Sequence, residues 1–132
     1  MKSKSIKLCD KKVLVAYCAA TEIAYNELTN GDSIDSLFAS MTPKDDGSVA
    51  LPQTRNILSF IFAGVLAYAN AKDEEPVITM EGLMNEAAGN EIATAMLEMT
   101  TLRNEFYYMP ATIAKKDAET ATKEKGKKRK NA

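Results

Sequence analysis

The chain predicts a mainly α fold: a small helical domain of four to five helices, a short N-terminal β-hairpin and a disordered basic C-terminal tail. Three observations carry this. Residues 53–70, QTRNILSFIFAGVLAYAN, place Ile57, Leu58, Phe60, Ile61, Phe62, Val65, Leu66 and Tyr68 so densely that a helix here has almost no polar face for water, which makes it the helix the rest packs around. Near the start, apolar residues alternate as in strands. From Lys115 onward, KKDAETATKEKGKKRKNA holds no large apolar side chain, so ordering it would cost entropy with little burial in return.

At 132 residues and 45% apolar content the chain can bury one core, read as a single domain over 1–112 with the tail at 113–132. Residues 5–18 read as the hairpin, with 5–9 as the first strand, Asp10, Lys11 and Lys12 as the turn, and Val13, Val15 and Tyr17 on one face of the second. A competing reading runs a helix back to Val13, because Val13, Ala16, Tyr17, Ala20, Ile23 and Ala24 also fall at helical spacing. Helix spacing is clearer over 20–28, and Asn30 with Gly31 supplies the left-handed residues that stop it. Asp32 or Ser33 can cap a short helix over 33–41 that ends before Pro43. The polar segment PKDDGS should be a mobile loop, and Pro52 suits the first turn of the central helix at 53–71.

That helix should end at KDEEP. Its apolar run, 57–69, contains Ser59 and Gly64 and falls short of the roughly 18–20 residues that cross a bilayer, so it reads as core and no membrane partner is expected. Thr79 can cap a helix over 80–88, which Gly89 and Asn90 should break. The last helix, 91–108, carries a stripe of Ile92, Ala95, Met96, Met99, Leu102 and Phe106, expected to pack on the central helix, with Glu91, Glu98, Arg103 and Glu105 at or beyond its edges.

Composition narrows function mostly by exclusion. With no histidine in the sequence, Ser-His-Asp and Cys-His mechanisms, His-ligated zinc and imidazole proton shuttling all lack their central group. Cys9 and Cys18 form no CxxC pair and read as reduced packing thiols in a cytoplasmic protein. No phosphate-binding glycine loop or nucleophile elbow occurs, and no cofactor is expected. Asp32 and Asp35, Asp45 and Asp46, and Asp73, Glu74 and Glu75 lack the spacing of a calcium loop and read as solvated loop charge. Glu22, set among apolar neighbours, is expected to bond a nearby backbone group or a lysine rather than act as acid or base. The net charge of −1 hides an asymmetry: residues 1–114 hold 9 Lys/Arg against 15 Asp/Glu, while 115–132 hold 8 against 3.

Surface chemistry offers three candidate groups. Met80 and Met84 lie one helical turn apart, as do Met96 and Met99; such residues commonly fill core gaps but also line surfaces that accept several partners. Phe106, Tyr107 and Tyr108 cannot all point inward from one helix, so this end is a candidate protein-binding patch. Lys127, Lys128, Arg129 and Lys130 could contact phosphate without sequence preference, although no aromatic residue in the tail could stack on bases.

The order of these pieces resembles that of the tail assembly chaperones of long-tailed (siphovirus-like) bacteriophages and prophages. The matching stretches are SIKLCDKKVLVAYCAATEIAYNELTNGDSID, a hairpin leading into a helix that closes at glycine, and, after the central apolar helix, ITMEGLMNEAAGNEIATAMLEMTTLRNEFYYMP, a helix ending in an aromatic group before Pro110. The resemblance covers about residues 5–110 and is one of pattern and order. It implies a non-enzymatic protein that binds the tape measure protein, and with it the tail tube protein as a further partner, while tube subunits polymerise, with self-association into a homo-oligomer. It transfers no catalytic residue. In many such systems ribosomal frameshifting near the end of the shorter chain gives a longer product, and codons for Gly126, Lys127 and Lys128 can form a slippery run of adenines. The rival expectation is an accessory protein of a phage or mobile element that binds nucleic acid through its basic tail.

Overall fold

A computed structural model describes residues 2–41, 43–48 and 52–107. Contacts divide the chain into two compact units, Met1–Leu102 and Arg103–Ala132. In the first, strands β1 (Lys2–Leu8) and β2 (Lys11–Tyr17) pair antiparallel, with Ile6 opposite Val13 and Lys4 opposite Val15. Helices α1 (Ala19–Leu28), α2 (Ile34–Ser40), α3 (Thr54–Ala71) and α4 (Met80–Glu86) follow. A fifth helix, α5, spans 89–107. The fold is thus mainly helical behind an N-terminal hairpin. The expected helix end at residue 108, Pro110 and the tail over 113–132 lie outside the described residues.

The hairpin alternates as the sequence requires, and Ile6, Leu8, Val13, Val15 and Tyr17 are all buried. A helix running back to Val13 is therefore ruled out. Its turn differs from the expected Asp10, Lys11 and Lys12. Cys9 and Asp10 alone make it, both left-handed at φ 54° and 60°, the geometry that matches the twist of a two-residue hairpin. Neither is glycine, so the turn needs outside support. It comes from Glu91, whose carboxylate accepts the backbone N–H of Cys9 at 3.0 Å and of Asp10 at 3.4 Å. Lys11 and Lys12 are free to extend β2.

Capping follows local chemistry in most places. Ser33 Oγ accepts from Ser36 N at 3.0 Å and Thr79 Oγ1 from Gly82 N at 2.9 Å, so Ser33 rather than Asp32 starts α2. At the end of α1, Asn30 and Gly31 take positive φ and the Gly31 N–H returns to Asn26 O at 2.8 Å. Two boundaries depart from expectation. Pro52 lies before the helix, because Gln53 is the extended residue that opens α3. Gly89 and Asn90 are inside α5, and the break falls at Ala87, which is extended at ψ 134°. The reason is again Glu91: its carboxylate reaches back to the Ala88 N–H at 3.0 Å and caps α5 two residues earlier than glycine punctuation suggests.

The central helix is buried as its sequence demands. Ten residues of α3 are buried, among them Phe60, Ile61 and Ala63 at 0% exposure. Sealing a side chain such as Phe60 or Ile61 contributes about 1.5–3 kcal/mol. Phe60 also gathers three rings edge-on: Tyr17 at 6.3 Å, Tyr25 at 6.4 Å and Phe38 at 5.5 Å between centroids. Gly64 lets α3 approach its neighbours closely, since a Cβ there would lie 2.5 Å from Met99 Sδ and 3.2 Å from Val15 Cβ. Met99 of α5 therefore does pack on α3, with Ala95 and Leu102 also buried. The stripe stops there, as Phe106 is 39% exposed rather than part of the core.

Candidate protein-binding surface

The four methionines proposed as a pliable surface do not act together. Met99 is wholly buried against Gly64, while Met80 and Met96 are half-buried and packed on the core. Only Met84 stands out, at 53% exposure on α4. Helical spacing had placed Met80 and Met84 on one face, yet α4 buries Leu83 as its anchor, and the remaining rotation turns Met84 outward. In the second unit, Phe106 and Tyr107 are exposed and meet edge-on at 5.1 Å, and the Arg103 guanidinium lies 5.2 Å over the Tyr107 ring. Tyr108, Lys127, Lys128, Arg129 and Lys130 lie outside the described residues.

Three large apolar side chains missed in the sequence are exposed: Leu97 on α5 at 66%, Ile23 on α1 at 60% and Val77 before α4 at 57%. Leu97 had a signal, since it follows Met96 and cannot share the stripe of Ala95, Met99 and Leu102. Ile23 falls on an apolar face only in the competing helix reading; α1 buries Thr21 and Tyr25, which leaves Ile23 toward water.

Chemically competent groups are held in structural roles. Tyr17 Oη donates to Glu22 Oε2 at 2.7 Å, which gives this carboxylate a phenol partner that the sequence does not announce. Thr21 Oγ1, fully buried, accepts from Cys18 N at 3.0 Å and donates to Ala16 O at 2.9 Å. Cys9 Sγ donates to Gly82 O at 3.6 Å. Burial, then the nearby Glu86 and Glu91 carboxylates, push the Cys9 thiol up, which keeps it protonated and poorly nucleophilic. Both cysteines are free thiols. Among the described residues, no group of three or more Cys, Asp or Glu could hold a metal ion.

A polar cavity of about 420 Å³ opens between α1, α2 and the start of α3, lined by Tyr25, Asp32, Ser36, Ser40, Arg55 and Asn56 among others. Tyr25 has its phenol pushed up to about 12, first by burial and then by the Asp32 carboxylate. These groups offer hydrogen bonds and one cation, but no pair of titrating groups tuned apart for acid and base work. No helix among the described residues is long and apolar enough to cross a membrane. Comparison with protein-family models, curated proteins and solved structures gave no match.

Proposed function

We propose that the protein is a non-enzymatic tail assembly chaperone of a long-tailed bacteriophage or prophage, which binds the tape measure protein in the cytoplasm while tail tube subunits polymerise. What supports this reading is the exposure of Met84 and Leu97, with Ile23 and Val77, on a body that carries surplus acidic charge. A long helical client needs apolar side chains already in water, on a carrier whose surplus acid keeps the pair soluble. The hairpin followed by five helices, in the order the resemblance requires, supports the same assignment.

This reading requires a tape measure gene nearby, and the test is co-purification with its product, comparing the unaltered chain with Met84→Glu combined with Leu97→Glu. The expected result is a complex that survives 0.5 M salt, roughly beyond the range where exposed charge pairs contribute, and is lost in the double variant. No complex, or equal binding by the variant, overturns the reading. The rival reading rests on the basic composition of residues 115–132. Gel shifts that disappear both at raised salt and on truncation at Pro110 would favour it instead.

A further inference from the structure

The hairpin is the one part of the body whose charge opposes the rest. Residues 2–12 hold 5 lysines against Asp10, whereas residues 13–107 hold 4 Lys/Arg against 14 Asp/Glu. It is also a sheet of only two strands among the described residues. A two-residue turn makes Leu8 and Lys11 a hydrogen-bonded pair, so the alternation that follows turns the N–H and C=O groups of Ser3, Ser5 and Lys7 away from β2, and those of Lys12, Leu14 and Ala16 away from β1.

These two edges have different fates. That of β2 is closed: the Ala16 carbonyl accepts the Thr21 hydroxyl, Ala16 is fully buried, and Glu74, Glu75, Pro76 and Val77 lie beside Lys12 and Leu14 around a narrow cavity of about 80 Å³. That of β1 is open. Ser3, Ser5 and Lys7 are all exposed, and no backbone bond among the described residues reaches them from outside the hairpin. An uncovered edge seven residues long is a template for another strand unless something discourages pairing. Lysines discourage pairing with a second copy, because two such hairpins would bring five cations against five. They do not discourage an acidic strand, and the small Ser3 and Ser5 leave room for its side chains.

We propose that the outer edge of β1 is a docking site for an extended, acidic segment of a partner polypeptide, which adds there as a third strand. The main-chain groups of Ser3, Ser5 and Lys7 supply the hydrogen bonds, and Lys7, whose ion pair with Asp10 at 3.4 Å is exposed and readily exchanged, supplies the preference for carboxylates. Acidic charge elsewhere on the body steers such a segment toward the hairpin and away from the helices. This inference stands on the hairpin alone and holds whether or not the partner is a tape measure protein.

The probe is a fluorescein-labelled nine-residue peptide of alternating Glu and Val, titrated with the full chain by fluorescence anisotropy at 50 mM salt. Ser5→Pro removes an outward N–H without touching the β1–β2 ladder, a position an edge strand tolerates. The expected result is saturable binding that weakens at least tenfold in Ser5→Pro, in a peptide with Lys in place of Glu, and in peptides N-methylated at alternate backbone nitrogens in either register. Thermal melting by circular dichroism checks that Ser5→Pro folds; if it does not, the N-methylated peptides make the same test on the unaltered protein. Absence of binding, or binding indifferent to backbone methylation, overturns the proposal. So does sedimentation showing a dimer that Ser5→Pro dissociates, since the edge would then belong to a second copy.

Discussion

Replacing Gly64 by alanine sets two known effects against each other at one atom. Inside a helix the change ordinarily gains about 1 kcal/mol. Here the new methyl would lie 2.5 Å from Met99 Sδ, 2.6 Å from Met99 Cε and 3.2 Å from Val15 Cβ. Val15 Cβ need give only a few tenths of an ångström, whereas the Met99 thioether must move much further inside a core where Met99 is wholly buried, so the clash with Met99 carries most of the cost. Overpacking of this kind costs about 1–3 kcal/mol. Taking the middle of that range, Gly64→Ala should destabilise the protein by about 1 kcal/mol. Met99→Ala alone should cost about 2–5 kcal/mol through the cavity it leaves. In that background the thioether is gone, so Gly64→Ala should become neutral or mildly stabilising, a coupling of about 1–2 kcal/mol. Urea unfolding followed by circular dichroism measures all four corners of the cycle, provided the slope m stays constant. The packing argument is refuted if Gly64→Ala raises stability by about 1 kcal/mol in the unaltered chain, or if the two changes add within about 0.5 kcal/mol.

Two further predictions concern pH. Because the Tyr25 phenol is raised from 10.0 to about 12 in the folded state, its contribution is complete below pH 10 and is lost as pH rises through 12. Phenolate absorbance should show a late-titrating component that ionises together with loss of the helical signal and is missing in Tyr25→Phe. Glu91 is held below its ordinary value of 4.5, chiefly by the Ala88 N–H and further by the N–H groups of Cys9 and Asp10. Its contribution is therefore present in full above 4.5 and lost as pH falls through the lower folded value. Protection of the Cys9 and Asp10 amides, taken relative to their intrinsic exchange rates, should fall across that acid range, while in Glu91→Gln it should already be low at pH 7 and show no such step. Matching profiles in the two proteins would show that Glu91 does not hold the turn.

Much of the fold was legible because it is written in neighbouring residues. Val13, Val15 and Tyr17 alternate into the core, Ser33 and Thr79 cap their helices, and residues 54–71 are too apolar to be anything but central. What was misplaced depends on residues far away in sequence. The turn at Cys9 and Asp10 and the start of α5 both answer to the carboxylate of Glu91, and nothing near Cys9 announces it. The candidate surface was harder still. Spacing shows which side chains share a helix face, but not how that face is rotated against its neighbours. Met99 fits both the packing stripe and the candidate surface by spacing and proves to be core, while Met84, a turn from the half-buried Met80, stands in water.

The ties between Cys9 and Glu91, 82 residues apart, and between Lys4 and Glu98, 94 apart, fasten the two ends of the body to each other. Synthesis runs from the hairpin toward α5, so the anchors of β1 do not exist until residues 91–98 have been made. In that interval the left-handed turn has no carboxylate to hold it and Val15 has no Met99 across Gly64. The closed form of this body therefore requires α5, and the contacts that close it are among the most distant in sequence.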